Sequence, residues 1–228
     1  MSILASFTNF FSNAIEIKDK FFTETMTTLY MVGFTAFIAG VIGVLIGVVL
    51  VVTEKGRVLE NKALFGFLDK TINILRSVPF IIMLAAIAPL TRLIVGSSIG
   101  ATAAIVPLAI GTIPFFSRQV QNALVEVDSG VVEAAQAMGN SPSEIIFGVY
   151  LKEGLAGIIR AASVTIVNLI GLTAMAGAIG AGGLGRLAIA VGYNRFQDDV
   201  TLVATLIIMI LVFISQSIGN FLVKKATH

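Results

Sequence analysis

The sequence contains no cysteine and a single histidine, His228, the last of its 228 residues. Disulfides, thiolate metal sites and cysteine nucleophiles are excluded, and histidine-based catalysis nearly so. Charge is scarce as well: Asp, Glu, Lys and Arg make up 12% of the chain, against roughly 25% in an average soluble domain. With 57% hydrophobic residues and a mean hydropathy of +0.98, the chain has too little polar surface for an aqueous globular fold. The net charge of +2 is too small for a nucleic-acid surface. No G-x-x-x-x-G-K-[ST] or H-E-x-x-H occurs, and although Gly96-Ser97-Ser98-Ile99-Gly100 fits G-x-S-x-G, the single histidine is terminal, so neither a P-loop nor a membrane-embedded hydrolase is indicated. No catalytic, cofactor or metal residues are predicted. The 22 glycines fit spanning helices, where Gly is more frequent than in soluble ones. What remains is an integral membrane protein.

A helix needs about 20 mostly apolar residues to cross the hydrocarbon. Uncharged runs separate Glu24 from Glu54, cover Leu93 to Ser117 and Ala161 to Gly185, and extend from Val200 to Val223. Thr71 to Thr91 is a fifth candidate, with Arg76 near enough to one end to snorkel. Closed barrels need alternation at period two, and the run 41–50 shows none. The expectation is an all-α fold of five transmembrane helices, at about 25–52, 71–91, 94–117, 158–177 and 200–223. With five spans the termini lie on opposite sides. Placing the C-terminus, with Lys224 and Lys225, in the cytoplasm gives the inner segments ten of the 15 basic residues. The outer ones keep Lys18, Lys20, Arg92, Arg186 and Arg195, so the chain reads as N-out and C-in.

Residues 1–22 form neither a signal peptide nor a span. Ile3, Leu4, Phe7, Phe11, Ala14 and Ile15 recur at helical spacing opposite polar residues, as in an interfacial amphipathic helix. A frayed tail is the alternative.

One polar segment is long, Arg118 to Arg160, on the expected cytoplasmic face. Asp128 and Ser129 can cap a helix with Glu133 in its N-terminal half. Val131, Ala134, Ala135 and Met138 then fall on a narrow apolar stripe. Gly139 stands where a C-cap glycine belongs, and Ser141-Pro142-Ser143-Glu144 is a capping box with proline at its first helical position. The pattern writes helix, corner, helix. A stripe of small side chains suits close docking by another protein, or equally a loop folded back on its own spans.

The residues Glu133-Ala134-Ala135-Gln136-Ala137-Met138-Gly139 resemble the E-A-A-x-x-x-G loop of binding-protein-dependent ABC importer permeases. That resemblance implies the type I permease fold, an ABC transmembrane domain over 23–223 and a cytoplasmic coupling loop over 118–157, with a tail at 224–228. It also implies that Val131, Glu133, Ala134, Ala135, Met138 and Gly139 form the helix that docks on a cytoplasmic ATPase. The family usually continues Ile-x-Leu-Pro, whereas this chain reads Val149-Tyr150-Leu151-Lys152. Arg76-Ser77-Val78-Pro79-Phe80, the stretch 89–96 and the glycine-rich run 177–185 are similar to the methionine-uptake permeases of bacteria. The implied function is ATP-driven import of L- and D-methionine across the inner membrane. The implied complex contains a second copy of the chain, two ATPase subunits that bind ATP and magnesium, and an extracytoplasmic methionine-binding lipoprotein, with lipid around it. Import of another small amino acid is the alternative.

Gly40, Gly43 and Gly47 are spaced for close helix contact, or are glycines of the kind common in any span. The fourth span carries Asn168, Thr173 and Met175, then breaks up at Gly180, Gly182, Gly183 and Gly185. Irregular backbone at membrane depth is tolerated only beside protein or a water-filled cavity. These six residues, Asn168, Thr173, Met175, Gly180, Gly182 and Gly183, are the candidate pathway and gate. Asn168 can instead bond a neighbouring helix and Met175 can fill a packing gap. Tyr193, Arg195, Asp198 and Asp199 form an outer polar cluster. An ion-coupled transporter would place acidic residues mid-membrane, and here every Asp and Glu falls outside or at the ends of the expected spans.

Overall fold

The computed structural model describes residues 10–227; Ile3, Leu4 and Phe7 of the expected amphipathic segment lie outside them, as does His228. The described residues form helices and connections, without strands. Four helices are long and apolar enough to cross a membrane: Lys18–Thr53, Ala101–Val125, Leu155–Ala181 and Asp198–Ala226. We label the elements α1 (Ser12–Glu16), α2 (Lys18–Thr53), α3 (Lys62–Ser77), α4 (Phe80–Ala86), α5 (Ala88–Val95), α6 (Ala101–Val125), α7 (Ser129–Ala137) and α8 (Pro142–Ile145). After a π-type turn and the short α9 (Leu151–Glu153) come α10 (Leu155–Ala176) and, past the glycine-rich loop, α11 (Asp198–Ala226).

The segment expected as one span at 71–91 is three helices, α3, α4 and α5. Pro79 disfavours helical backbone in the residue before it, and Val78 is extended, with φ −81° and ψ 123°. A second interruption at Ile87 precedes Pro89, and Gly96 closes α5 in the left-handed conformation, its N–H on the Arg92 carbonyl at 2.9 Å. The span expected from residue 94 starts only at Ala101. Before it, Ser97 Oγ accepts from the Ile99 N–H and donates to the Ile99 carbonyl, which holds a turn.

The chain divides into two compact units. Among the described residues, the first comprises 10–36, 80–109 and 167–214. Its core joins Ala14 and Phe21 to Leu184, Leu187, Ala188, Val200 and Ala204. Asp199 ties α1 into this unit: its carboxylate accepts from the Ala14 N–H at 2.7 Å and from the Asn13 amide at 3.1 Å. Asp199 of the expected outer cluster is therefore a buried anchor, while Tyr193 is exposed.

The second unit comprises 37–79, 110–166 and, among the described residues, 215–227. Here Val48, Val51 and Val52 of α2 meet Phe116, Val120 and Leu124 of α6. A Cβ on Gly43 would lie 2.6 Å from the Phe116 ring. One on Gly47 would lie 2.6 Å from Val120. Both numbers advance together, so α2 and α6 run parallel. Gly40 faces open space within the chain and takes no part in the α2–α6 contact. Between α6 and α10 the order reverses: Gly154 meets Leu124 and Gly157 meets Ala123, so that pair is antiparallel.

Candidate functional site

In the second unit, the helix–corner–helix at 128–145 forms from local signals. Asp128 accepts from the Gly130 N–H at 2.7 Å and starts α7. Gly139 ends it at φ 82°, a conformation that disfavours any residue with a Cβ. The Asn140 N–H then reaches back to the Ala135 carbonyl at 3.2 Å. The Ser141–Glu144 capping box is complete, with both reciprocal bonds made. The Ser141 hydroxyl, and after it the Ser141 N–H, hold the Glu144 carboxyl below its ordinary range.

The stripe expected on α7 splits between two faces. Ala135 is buried at 3% exposure, together with Val132, and both pack on their own chain's core with Ile145 and Val149. Val131, Glu133, Ala134, Met138 and Gly139 are exposed, Met138 at 74%. The inward contact falls to Val132 and Ala135, while Val131 of the expected stripe faces outward. The outward ridge is Val131, Ala134 and Met138, at i, i+3 and i+7. After this corner the chain makes a π-type turn at Ile146–Tyr150 and a turn at Gly154, whose Cβ position would lie 2.6 Å from the Tyr150 carbonyl.

Sequence reasoning missed a polar knot in the same unit. The Arg118 guanidinium donates to Asp69 at 2.5 Å, Asn73 at 3.1 Å and Gln121 at 2.6 Å, tying α3 to α6. A charge-assisted fork of this kind fixes geometry as well as adding energy. No spacing rule links residues 49 positions apart in sequence.

In the first unit, α10 stays regular to Ala176 and then loosens, with Gly180 at φ 105°, Gly182 at 86° and Gly183 at 77°. Asn168, Gly171, Met175 and Ile179 are all exposed and lie on one face of α10 and its extension. Thr173 does not join them: it is buried, and its hydroxyl donates to the Ile170 carbonyl at 2.7 Å. The Gly100 N–H donates to the Gly180 carbonyl at 3.1 Å, joining the loop to the start of α6. Beside that bond a cavity of about 190 Å³ is walled mostly by small residues, among them Ala85, Ala88, Ala104 and Ala176.

The loop has a partner that sequence reasoning did not identify. Glu24, on α2 and 7% exposed, pairs with the Arg186 guanidinium and accepts from the Gly183 N–H. Thr28, one turn further, accepts from the Leu184 N–H at 2.9 Å. The placement of Glu24 near a span end was legible; its burial was not.

The family model for the binding-protein-dependent transport system inner membrane component matches residues 39–228. The chain belongs to this family. It is 46% identical over 211 residues to a probable D-methionine transport system permease protein, MetI, of Vibrio cholerae, covering 92% of this chain and 94% of that one. It is 46% identical over 173 residues to the methionine import system permease protein MetP of Bacillus subtilis, covering 76% and 78%. Among solved structures, the MetNI methionine ABC transporter in an inward-facing conformation matches with a TM-score of 0.91 at 40% identity, over 93% of this chain and 99% of that chain. An amino acid ABC transporter described with histidines shares the fold, with a TM-score of 0.78 at 18% identity. The resemblance carried by residues 133–139 is thus matched by family membership across the chain, and the protein is an inner-membrane transport component.

Proposed function

We propose that the chain is the membrane-spanning subunit of an ATP-driven importer of methionine, in L and D forms. The observation that carries this is 46% identity over 92% of the chain to a methionine permease. The 0.91 TM-score to a methionine ABC transporter agrees with it. On this proposal two copies assemble with two ATPase subunits, which bind the ATP and magnesium, and a binding lipoprotein delivers methionine from outside.

The outward ridge of α7, with Glu133 and Gly139 beside it, is the proposed ATPase contact. Ala135 supports that helix from within its own subunit. The face of α10 bearing Asn168 and Met175 is the proposed pathway lining, with Gly180, Gly182 and Gly183 forming the gate and Thr173 backing the helix. Five crossings are supported by the parallel run of α2 and α6. For two parallel neighbours, the chain between residues 53 and 101 has to return across the same thickness, and the broken segment α3–α5 is what supplies the return. The domain is 23–223, and the proposed orientation is N-out, with 118–157 and the tail 224–228 in the cytoplasm. The likeness to inward-facing transporters supports a gate that is shut toward the outside here.

Reconstitution with the ATPase and binding protein tests the proposal. Methionine uptake should require both partners and ATP. Uptake of a different amino acid in preference to methionine, with the methionine-binding protein present, would overturn the assignment.

A further inference from the structure

Gly180, Gly182 and Gly183 all have positive φ, and glycine moves between such conformations and their mirror images at little cost. Beyond the loop a helix starts at Leu184, with the Arg186 and Leu187 N–H groups on the Gly183 carbonyl at 3.0 and 3.4 Å. Its first free N–H groups belong to Gly183 and Leu184. A helix normally satisfies such groups with a side chain of its own at the N-cap. Here the acceptors come from α2: the Glu24 carboxylate takes the Gly183 N–H and the Thr28 hydroxyl takes the Leu184 N–H.

The spacing on α2 is what makes this work. Glu24 and Thr28 are four residues apart, hence stacked on one helix face, and they meet two consecutive N–H groups. A Cβ on Gly183 would stand 2.7 Å from the Thr28 hydroxyl and 2.9 Å from Met31, so the backbone itself has to approach. Glu24 is 7% exposed, and taking a carboxylate out of water is costly unless it is paired. The Arg186 guanidinium, on the first turn of the same short helix, supplies that pairing. Three groups from two distant stretches of sequence thus close on one point of the loop.

We propose that Glu24 is the positioning residue of the transport gate. Its paired contacts with the Gly183 N–H and Arg186 latch the 177–185 loop in the shut state, and the latch has to release when the pathway opens to the outside. Glu24 touches no cargo; it acts through the loop backbone. The inference rests on the importer function proposed above and adds to it the element that holds the gate.

The test uses the absence of cysteine from the chain. A single cysteine is introduced at Ile179, exposed on the loop's near side, and the full transporter with its ATPase is reconstituted without binding protein. An impermeant maleimide is then applied from each side in turn. Glu24→Gln and Arg186→Gln should each raise the labelling rate about tenfold, the shift expected from losing one charge-assisted hydrogen bond. Arg186→Lys keeps the charge and should stay within about twofold of the unaltered pair. ATP hydrolysis without binding protein should rise alongside labelling in the two Gln variants. Unchanged labelling in both overturns the latch. Failure of both to assemble overturns it equally, since a latch is dispensable for assembly. If the parent transporter, once supplied with ATP and the binding protein, takes up no methionine, the importer assignment fails, while the labelling ratio still reports on the loop.

Discussion

Gly47 of α2 and Val120 of α6 approach so closely that a Cβ on the glycine would sit 2.6 Å from the valine side chain. The same is true four residues back, where Gly43 faces Phe116. Without a strong hydrophobic drive between helices in lipid, close backbone approach through small residues is what makes association favourable. Gly47→Val should therefore cost roughly 1–3 kcal/mol of overpacking and lower the melting temperature and yield of the purified protein. Gly40→Ala, which adds its methyl to open space, is the control and should be nearly silent. Equal effects of the two would mean that the parallel α2–α6 contact contributes nothing special.

The exposed ridge of α7 gives a sharper contrast. Met138→Glu or Ala134→Trp alters only the outward face, so the protein should insert and dimerise normally. Binding of the ATPase, measured by co-purification, should weaken by an order of magnitude or more, as a loss of roughly 1.4 kcal/mol or greater requires. Ala135→Trp acts differently, because Ala135 lies 3% exposed against its own chain. It should destabilise the subunit itself. If Met138→Glu bound ATPase as well as the unaltered protein, the ridge would not be the docking surface.

How far this was legible depends on the range of each signal. The caps at Asp128, Gly139 and Ser141 act over two to four residues, so the sequence writes them openly. The left-handed glycines of the 177–185 loop are equally local. Which way α7 turns is not local: of its apolar residues Val132 and Ala135 join the core with Ile145 and Val149, and a narrow stripe does not say which of its members face inward. The pairing of Glu24 with Arg186 spans 162 positions and that of Asn13 with Asp199 spans 186, and neither carries a spacing rule. The break before Pro79 had its residue in plain view. Apolar composition on both sides nevertheless suggested one continuous crossing, because composition counts residues and is blind to a lost helical turn.

The distribution of Lys and Arg supports the proposed sidedness, which is directly measurable. Single cysteines replacing Asp128, at the start of α7, and Phe196, 91% exposed ahead of α11, should label from opposite sides of sealed vesicles. The residue at 128 should react only from the cytoplasmic side. Labelling of both from one side would remove a crossing between them and with it the five-span arrangement.

The last prediction concerns what the pathway selects. Methionine is a zwitterion with an apolar thioether, so its route needs a neutral, modestly polar lining. The exposed face of α10 offers one amide, Asn168, one thioether, Met175, and the bare backbone of Gly171. Over 164–179 it carries no charge, the exposed Arg160 standing one turn nearer the start of the helix. A route for phosphate or a sugar phosphate would present clustered Arg or Lys instead. Tight binding midway would retard release, so such a face should contact cargo weakly and leave discrimination to the delivery protein. Asn168→Ala and Met175→Ala should each change the rate of methionine uptake several-fold without changing preference among close analogues. Thr173→Val should behave differently, since its hydroxyl bonds back to the Ile170 carbonyl of its own helix. That bond is worth about 1 kcal/mol, and its loss should appear in stability more than in uptake. The measurement is competition between methionine and its analogues in proteoliposomes with one fixed binding protein. A Met175 variant that came to prefer an unrelated amino acid would show that selection resides in this subunit.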